Sequence, residues 1–268
     1  MILDTKYLSI VLCGLVFATN PVFVFTQPLH ESSKSVSSPL AYAYSVLDCP
    51  YVAGTLDSYP TEQLIYHYDR FDCVTLLDWV LAHVLSTDQR YCAEFGFEEI
   101  LRKIRYESGN TDGYASRMHY FSSWIENNIA NGYIREATQE SGGEAYRKTI
   151  NYMSSNKSVY PALSHKREMS KIKEIEKKLS STVFYHIPGK RIKDINHHLR
   201  DGDIIAFTTH KKGLDISHTG FIMKKGDSAY LLHASSAEKK VTISDVTLDE
   251  YISGNPSISG IRICRLNE

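Results

Sequence analysis

An α+β fold in a single domain is predicted by three features of the amino-acid sequence. Apolar residues at helical intervals dominate the first half of the chain. Short β-rich runs separated by turn residues dominate the part that follows Leu179. Reactive side chains are divided between the two halves, which must therefore pack together to form one site. We expect N-terminal helices packed on a C-terminal antiparallel β-sheet.

The composition is that of a globular protein. Of the 268 residues, 43% are hydrophobic and 23% are charged, and 30 basic side chains nearly balance 31 acidic ones. These values exclude the disordered and fibrous classes. A formal net charge of -1 provides no basic field that would attract polyanions, so nucleic acid is not expected as a partner.

The amino terminus predicts export. The apolar run at residues 10–18 follows Lys6 and has the character of a secretory signal, although a buried strand or helix is the alternative. We expect a signal peptide at residues 1–26, a Ser/Pro-rich linker at 27–40 and the folded domain at 41–268. The protein is then expected to be periplasmic or secreted, with no stable membrane insertion after signal removal.

Four helices are predicted in the order of the chain. The segment 71–86 has apolar residues at helical spacing, with the helix beginning at Cys73 and Asp72 at the N-cap position. Further helices are predicted at residues 95–105, 117–128 and 166–178. The last of these has an alternating charge pattern that is typical of a solvated helix face.

Five strands are predicted after these helices, at residues 203–208, 219–223, 230–233, 241–243 and 260–265. Turn signals at residues 201–203, 211–213 and 225–227 separate them. The second and third strands are joined by a short turn, so they are expected to form an antiparallel hairpin.

The cysteines are Cys13, Cys49, Cys73, Cys92 and Cys264. Their odd number and the lack of a C-x-x-C pair argue against a disulfide framework or a structural zinc site. Cys73 stands at a helix start, where backbone N–H groups and the helix dipole stabilise a thiolate and lower its pKa. A buried structural thiol is the alternative interpretation.

Two histidines favour the reactive interpretation. His218 precedes one strand of the predicted hairpin and His233 ends the other, so both are expected at the same end of the sheet. A cysteine nucleophile needs a base within hydrogen-bond reach, and that base needs a polar group that orients it. Cys73, His218 and His233 can supply these roles, although each histidine could instead be a core or surface residue. His197 and His198 lack such a setting and are expected on the surface.

An ordered set of motifs resembles the NlpC/P60 cysteine-peptidase superfamily, namely PYVAG at 50–54, FDC at 71–73, DGDII at 201–205, SHTG at 217–220 and LHAS at 232–235. Within it, the sequence is most similar to the DUF1460 branch, described as N-acetylmuramoyl-L-alanine amidase-like. FDCVT at 71–75, SRMHY at 116–120 and GLD at 213–215 carry that likeness, which extends over residues 41–266. Asp78 departs from it, since a glutamate is expected there.

The resemblance implies a papain-like α+β fold and an enzyme that cleaves the amide between N-acetylmuramic acid and L-alanine in peptidoglycan fragments. It implies that Cys73 is the nucleophile, His218 the general base and then acid, and His233 the orienting residue. No metal and no cofactor are expected. The expected partner is peptidoglycan or a muropeptide, and the expected state is a monomer.

Substrate contacts are expected around these three residues. Tyr51 is expected to add an oxyanion donor to the backbone N–H of Cys73. Arg117 is expected to bind a carboxylate and His119 a sugar hydroxyl, although their segment could instead be a helix start capped by Ser116. Two residues of the remaining motifs, Asp215 and Ser217, complete the expected contacts.

Two other functions remain open at this point. A γ-D-glutamyl-diamino acid endopeptidase would use the same three residues on a different bond of the stem peptide. A non-catalytic muropeptide-binding protein would keep the fold without the reaction.

Overall fold

The computed structural model describes residues 38–57, 59 and 61–267 of the chain. The predicted signal peptide and most of the predicted linker lie outside the described residues. The first described helix begins at Pro39, just before the predicted domain boundary. Among the described residues, no helix combines the length and the apolar character that a membrane span requires.

The helices of the described chain are α1 (Pro39–Ser45), α2 (Cys73–Thr87), α3 (Phe97–Arg105), α4 (Phe121–Ala130), α5 (Tyr152–Ser155), α6 (Lys166–Ser181) and α7 (Leu248–Ser253). The four predicted helices correspond to α2, α3, α4 and α6. The predicted start of α4 is wrong, because Arg117 forms a bridge with Tyr106 and the N–H of Met118 donates to the carbonyl of Arg105. These bonds keep the chain extended until Phe121.

The strands are β1 (Ile134–Glu136), β2 (Glu144–Tyr146), β3 (Phe184–Pro188), β4 (Ile204–Thr209), β5 (Ile216–Lys225), β6 (Ser228–Ser235), β7 (Lys240–Ile243) and β8 (Ile258–Leu266). They form one antiparallel sheet in the order β2-β3-β8-β4-β5-β6-β7, and β1 pairs with β8. The five predicted strands correspond to β4–β8, whereas β1, β2 and β3 were not predicted.

The last strand of the chain lies in the interior of this sheet and not at its edge. Strand β8 pairs with β3 on one side and with β4 on the other. The approach of β3 requires a glycine, because a Cβ atom at Gly260 would overlap the carbonyl oxygen of Ile187. Residues that are remote in sequence therefore become neighbours across β8.

Helices and turns cover both faces of the sheet. On one face, Ile204, Ala206 and Phe221 pack in a cluster with the buried residues of α2. On the other, Ile205, Phe207 and the buried residues of α7 form a second cluster. Successive residues of β4 thus point to opposite faces, as the pleat requires. The predicted α+β class, with helices packed on an antiparallel sheet, is confirmed.

The charged helix α6 is only partly solvated. Two of its glutamates are buried, and each accepts hydrogen bonds from other parts of the chain. The Glu168 carboxylate accepts from the N–H of Ala115 at 2.7 Å, and the Glu176 carboxylate accepts from the hydroxyl of Tyr120 at 2.7 Å. The interpretation of this pattern as a solvated face therefore holds for one side of α6 only.

Candidate active site

Cys73 occupies the first position of α2, and the side chain before it fixes the helix start. The carboxylate of Asp72 accepts from the N–H groups of Val74 at 3.0 Å and Thr75 at 2.8 Å. In return, the hydroxyl of Thr75 accepts from the N–H of Asp72 at 2.8 Å. This reciprocal capping box satisfies backbone groups that have no partner within the helix. It holds the half-buried thiol of Cys73 in the first turn.

The Cys73 thiol lies between the helix start and strand β5. The backbone N–H groups of Cys73, Val74 and Thr219 lie close enough to the sulfur to favour its thiolate. Burial and the nearby carboxylate of Asp72 outweigh them and raise the pKa of Cys73 to about 12. The resting group is therefore a neutral thiol at pH 7, which corrects the expectation that the helix start alone lowers this pKa.

The β5–β6 hairpin brings His218 and His233 into contact. Nε2 of His218 lies 2.6 Å from Nδ1 of His233, and the two rings meet nearly edge to face with centroids 4.9 Å apart. Burial lowers the pKa of His218 to about 4 and, together with the neighbouring His218, lowers the pKa of His233 to about 3. Both rings are therefore neutral at pH 7.

The glycine of the SHTG motif has a physical role in this contact. A Cβ atom at Gly220 would lie 2.7 Å from the carbonyl oxygen of Leu232 and 2.9 Å from Cβ of His233. Any side chain there would push β6 away from β5 next to the histidine pair.

Tyr51 lies beside the helix start, as its predicted role requires. Its segment forms a bridge with Phe71, and its N–H donates to the carbonyl of Lys239 at 2.8 Å. Burial raises the pKa of the Tyr51 phenol, and the nearby Cys73 and Asp72 raise it further. The phenol therefore keeps its proton at neutral pH and can donate a hydrogen bond.

Ser116 closes a turn and does not cap a helix. Its hydroxyl donates to the carbonyl of Gly113 at 2.7 Å and accepts from the N–H of Asp112 at 3.0 Å. The alternative interpretation of Ser116 as the cap of α4 is wrong, because that helix begins at Phe121. The Ser116 side chain is buried, so its visible role is to shape the chain before Arg117.

Arg117 is already paired with carboxylates of this chain. Its guanidinium bonds to Asp57, and its Nε lies 3.4 Å from a carboxylate oxygen of Glu62. The Arg117 side chain is 8% exposed, whereas that of Asp57 is 54% exposed. A substrate carboxylate that binds Arg117 would therefore have to displace Asp57, the more accessible of the two partners.

His119 is held against Tyr114. Its Nε2 lies 2.8 Å from the carbonyl oxygen of Tyr114, and the two ring centroids are 4.1 Å apart. Burial and the nearby Arg117 lower the pKa of His119 to about 3. The neutral ring donates from Nε2 to that carbonyl, which leaves Nδ1 as an acceptor.

Of the two remaining expected substrate contacts, Asp215 is buried and Ser217 is exposed. The Asp215 carboxylate is buried and accepts from the N–H of Ser122 at 2.7 Å, in the first turn of α4. Burial raises the pKa of this carboxyl. Asp215 therefore holds the first turn of α4. A substrate contact would face solvent, and this buried carboxylate does not. Ser217 is exposed, and its hydroxyl donates to the carbonyl of Phe207 at 3.4 Å.

The structure adds Tyr251 of α7, which no sequence motif indicates, to the residues around His233. Its ring lies edge-on to His233, with centroids 5.6 Å apart and an interplanar angle of 86°. Helix α7 starts with a capping box formed by Thr247 and Glu250. That T-x-x-E spacing was the available signal for α7. The contact between Tyr251 and His233 depends on tertiary packing and leaves no trace in the local sequence.

Asp78, the departure noted in the sequence, forms a buried ion pair. Its carboxylate accepts from Nε of Arg105 at 2.7 Å and from the indole N–H of Trp124 at 2.9 Å. An aspartate thus satisfies its partners at this position.

Cys49, Cys92 and Cys264 are free thiols, like Cys73. Among residues that the structure describes, no cluster of three metal-ligating side chains occurs.

Solved structures resemble this chain over most of its length. An N-acetylmuramoyl-L-alanine amidase from Bacteroides uniformis ATCC 8492 is 37% identical with a TM-score of 0.81, and the match covers 86% of this chain and 98% of that one. A Bacteroides fragilis protein named as a proposed xylanase is 35% identical with a TM-score of 0.79, over 84% of this chain and 99% of that one.

A more distant relative shares the fold. A Legionella pneumophila str. Philadelphia 1 protein, matched by the DUF1460 family model, is 20% identical with a TM-score of 0.64, over 87% of this chain and 89% of that one. No curated protein is significantly similar to this chain. The family model described as N-acetylmuramoyl-L-alanine amidase-like matches residues 41–261, most of the chain. The chain therefore belongs to this AmiA-like family of N-acetylmuramoyl-L-alanine amidase-like proteins.

Proposed function

We propose that this protein is a cysteine amidase that hydrolyses the bond between N-acetylmuramic acid and L-alanine in peptidoglycan fragments. The observation that carries this proposal is the His218–His233 hydrogen bond on two strands that pack against α2, the helix that begins with Cys73. Membership of an amidase-like family supports the choice of bond. The relative from Bacteroides uniformis, named as an amidase of this type, supports it further.

The contact between the histidines sets their protonation. His218 uses Nε2 to bond Nδ1 of His233, so its Nδ1 is the nitrogen left for the thiol. A base needs a free lone pair, which places the proton of His218 on Nε2, where it donates to His233. His233 then carries its own proton on Nε2. This arrangement keeps the accepting nitrogen of His218 free and stabilises the imidazolium that forms during reaction.

In the first half of the reaction, the thiol proton of Cys73 passes to Nδ1 of His218. The thiolate and imidazolium form together, so each charge stabilises the other. The sulfur attacks the carbonyl carbon of the lactyl amide, and the backbone N–H of Cys73 donates to the developing oxyanion, with the Tyr51 hydroxyl as a second donor. His218 then gives its proton to the nitrogen of L-alanine, the C–N bond breaks and a thioester remains on Cys73.

In the second half, water replaces the amine. His218 takes a proton from the water, whose oxygen attacks the thioester carbonyl. The C–S bond breaks, and the proton on His218 returns to the sulfur. The products are a sugar with a free lactyl carboxylate and a peptide with a free amino terminus.

The NlpC/P60 assignment and the papain-like fold are part of the proposal. Two features support them: a cysteine begins a helix that packs on an antiparallel sheet, and two histidines lie on adjacent strands of that sheet. The site also weighs against a glycoside hydrolase, which uses a pair of carboxylates. The carboxylate next to the Cys73 thiol is that of Asp72, which caps α2, and the strands that pack on this helix contribute two imidazoles.

Recognition of the substrate is proposed to involve Arg117, His119 and Tyr51. A carboxylate of the stem peptide would exchange with Asp57 on the guanidinium, while the buried Glu62 keeps its place. His119 offers Nδ1 to a sugar hydroxyl.

We also propose that residues 1–26 direct export to the periplasm or the cell exterior and that the mature protein acts as a monomer. Sequencing of the mature amino terminus and light scattering test these last two points.

The decisive experiment is mass spectrometry of N-acetylmuramoyl-L-alanyl peptides incubated with the wild type and with Cys73→Ala. The proposal expects a sugar with a free lactyl carboxylate from the wild type and none from the variant. A shortened stem peptide would establish the endopeptidase instead. Tight binding without any product would establish a non-catalytic binding protein. Full activity of Cys73→Ala would overturn the mechanism.

A further inference from the structure

Four rings, contributed by four different elements, form a closed cluster that includes both candidate histidines. His218 lies edge to face with His233 at 4.9 Å, and His233 lies edge-on to Tyr251 at 5.6 Å. Tyr251 lies 5.5 Å from Phe207, and Phe207 stacks on His218 at 5.8 Å and 22°. We call these residues the four-ring cluster. Each ring contacts two others, so each histidine is bounded by the other and by one aromatic side chain.

Tyr251 is the member of the four-ring cluster that does not belong to the sheet. The other three lie on β4, β5 and β6, where pairing fixes their backbones. Tyr251 comes from α7, whose residues Leu248 and Ile252 are buried against the same face of the sheet. The docking of α7 therefore decides whether the outer side of His233 meets an aromatic ring or water.

We propose that Tyr251 is a positioning residue, whose ring fixes the plane of His233 and excludes water from the His218–His233 hydrogen bond. This inference rests on the proposed function and deepens it, because the hydrogen bond holds Nδ1 of His218 free to act as a base. Edge-to-face contacts between rings have a preferred geometry, so the ring at Tyr251 constrains the rotation of His233. An excluded water cannot compete for either nitrogen of the pair.

The ring, and not the hydroxyl, carries this role. Within the part of the chain that the structure describes, the Tyr251 hydroxyl makes no hydrogen bond to another residue, so it leaves the His233 nitrogens to their own partners. Burial, with smaller effects of Cys73 and Glu238, raises the pKa of the Tyr251 phenol, which is therefore uncharged at neutral pH. Phenylalanine at position 251 should therefore keep the ring contact with His233.

The ionisable groups around the histidine pair are few. Cys73 is near Asp72 and Tyr51 on the side of α2, and it also affects Tyr251 of the four-ring cluster. Tyr251 and Glu238 lie on the side of α7. Burial is the leading cause that lowers the pKa of both histidines. Hydration of the pair should therefore raise these pKa values towards the ordinary value of about 6.5.

The test compares Tyr251→Ala, Tyr251→Phe and the matched control Leu248→Ala, which removes a buried side chain from the same helix. Imidazole titrations by NMR, assigned with His218→Gln and His233→Gln, give the pKa values directly. Tyr251→Ala should raise them, whereas Tyr251→Phe should leave them unchanged. Leu248→Ala should lower the melting temperature without moving them. Tyr251→Leu, which keeps an apolar side chain, should cause a smaller rise and decides the matter should Tyr251→Ala not fold.

Kinetics provide a second readout. If the pKa of His218 rises from about 4 to the ordinary value of about 6.5, the fraction of free base falls about 30-fold at pH 5 and hardly at pH 8. The acid limb of kcat/KM for Tyr251→Ala should move accordingly. Unchanged titrations in both Tyr251→Ala and Tyr251→Leu, or an equal shift in Leu248→Ala, would overturn the inference.

The two proposals can fail separately. The NMR titration needs no turnover, so a chain that cleaves no muropeptide can still show the shift in Tyr251→Ala. In that case the proposed function fails and the positioning role stands. If the enzyme is active but the histidine pKa values are the same in the wild type and Tyr251→Ala, the proposed function stands and the positioning role fails.

Discussion

Replacement of Asp78 by alanine should destabilise the folded protein strongly. The Asp78 side chain is 0% exposed, and its partner Arg105 is 4% exposed. Removal of one partner of a buried ion pair costs about 3 to 5 kcal/mol, because the other charge remains buried without compensation. The indole N–H of Trp124 also loses its acceptor, which costs about 1 to 3 kcal/mol. The two costs overlap in one carboxylate, so we expect a total of about 4 to 6 kcal/mol.

Urea denaturation followed by far-UV circular dichroism measures this loss. Asp78→Asn keeps an acceptor for Trp124 without the charge, and it should fall between the wild type and Asp78→Ala. The matched control is Asp69→Ala, because Asp69 forms an ion pair with Arg70 in which the side chains are 70% and 46% exposed. An exposed pair is worth about 0 to 1 kcal/mol. A loss below about 1 kcal/mol in Asp78→Ala would refute the assignment of this pair as a buried, mutually dependent one.

Three further predictions concern the candidate site. His233→Ala should lower kcat/KM on muropeptides, because it removes the residue that orients His218. The loss should be smaller than for His218→Ala, which removes the base itself and should lower kcat/KM about 10²- to 10⁴-fold. Equal losses would contradict these roles. Asp57→Asn should lower KM for substrates with a free stem carboxylate and leave kcat unchanged, because it weakens the internal competitor for Arg117; an unchanged or higher KM would count against carboxylate exchange. The free energy of unfolding should fall as the pH drops from about 6.5 to about 4. In this range the two histidines are protonated in the unfolded chain, whereas His218 and His233 of the folded chain stay neutral because their pKa values are lowered. Urea midpoints across this range should vary less in the double variant His218→Gln/His233→Gln, and equal slopes would exclude the pair as the cause.

Local signals in the sequence located the helix start of Cys73 and the hairpin of the two histidines. Asp72 is a residue type that favours the N-cap, and the structure shows its capping bonds. The turn at residues 225–227 predicted a hairpin, and β5 and β6 pair up to Lys225↔Ser228. Both features depend on neighbours within a few residues, which is why they could be predicted.

Features that depend on remote partners escaped prediction. Strand β3 pairs with β8 through Ile187↔Ile261, and nothing near Ile187 indicates that partner. The internal pairing of Arg117 with Asp57 likewise joins residues far apart in the chain. The pKa of Cys73 was predicted in the wrong direction, because a helix start can be recognised from the sequence whereas the burial around a sulfur cannot.

The interior position of β8 bears on how this protein is made. Translation proceeds from the amino terminus, so β3 and β4 leave the ribosome long before the strand that joins them. Until β8 arrives, their facing edges are unpaired and open to strands of other chains. Truncation before Ile258 should therefore yield aggregates instead of a soluble protein of reduced activity. A separately supplied peptide of residues 258–266 is the natural candidate for fragment complementation.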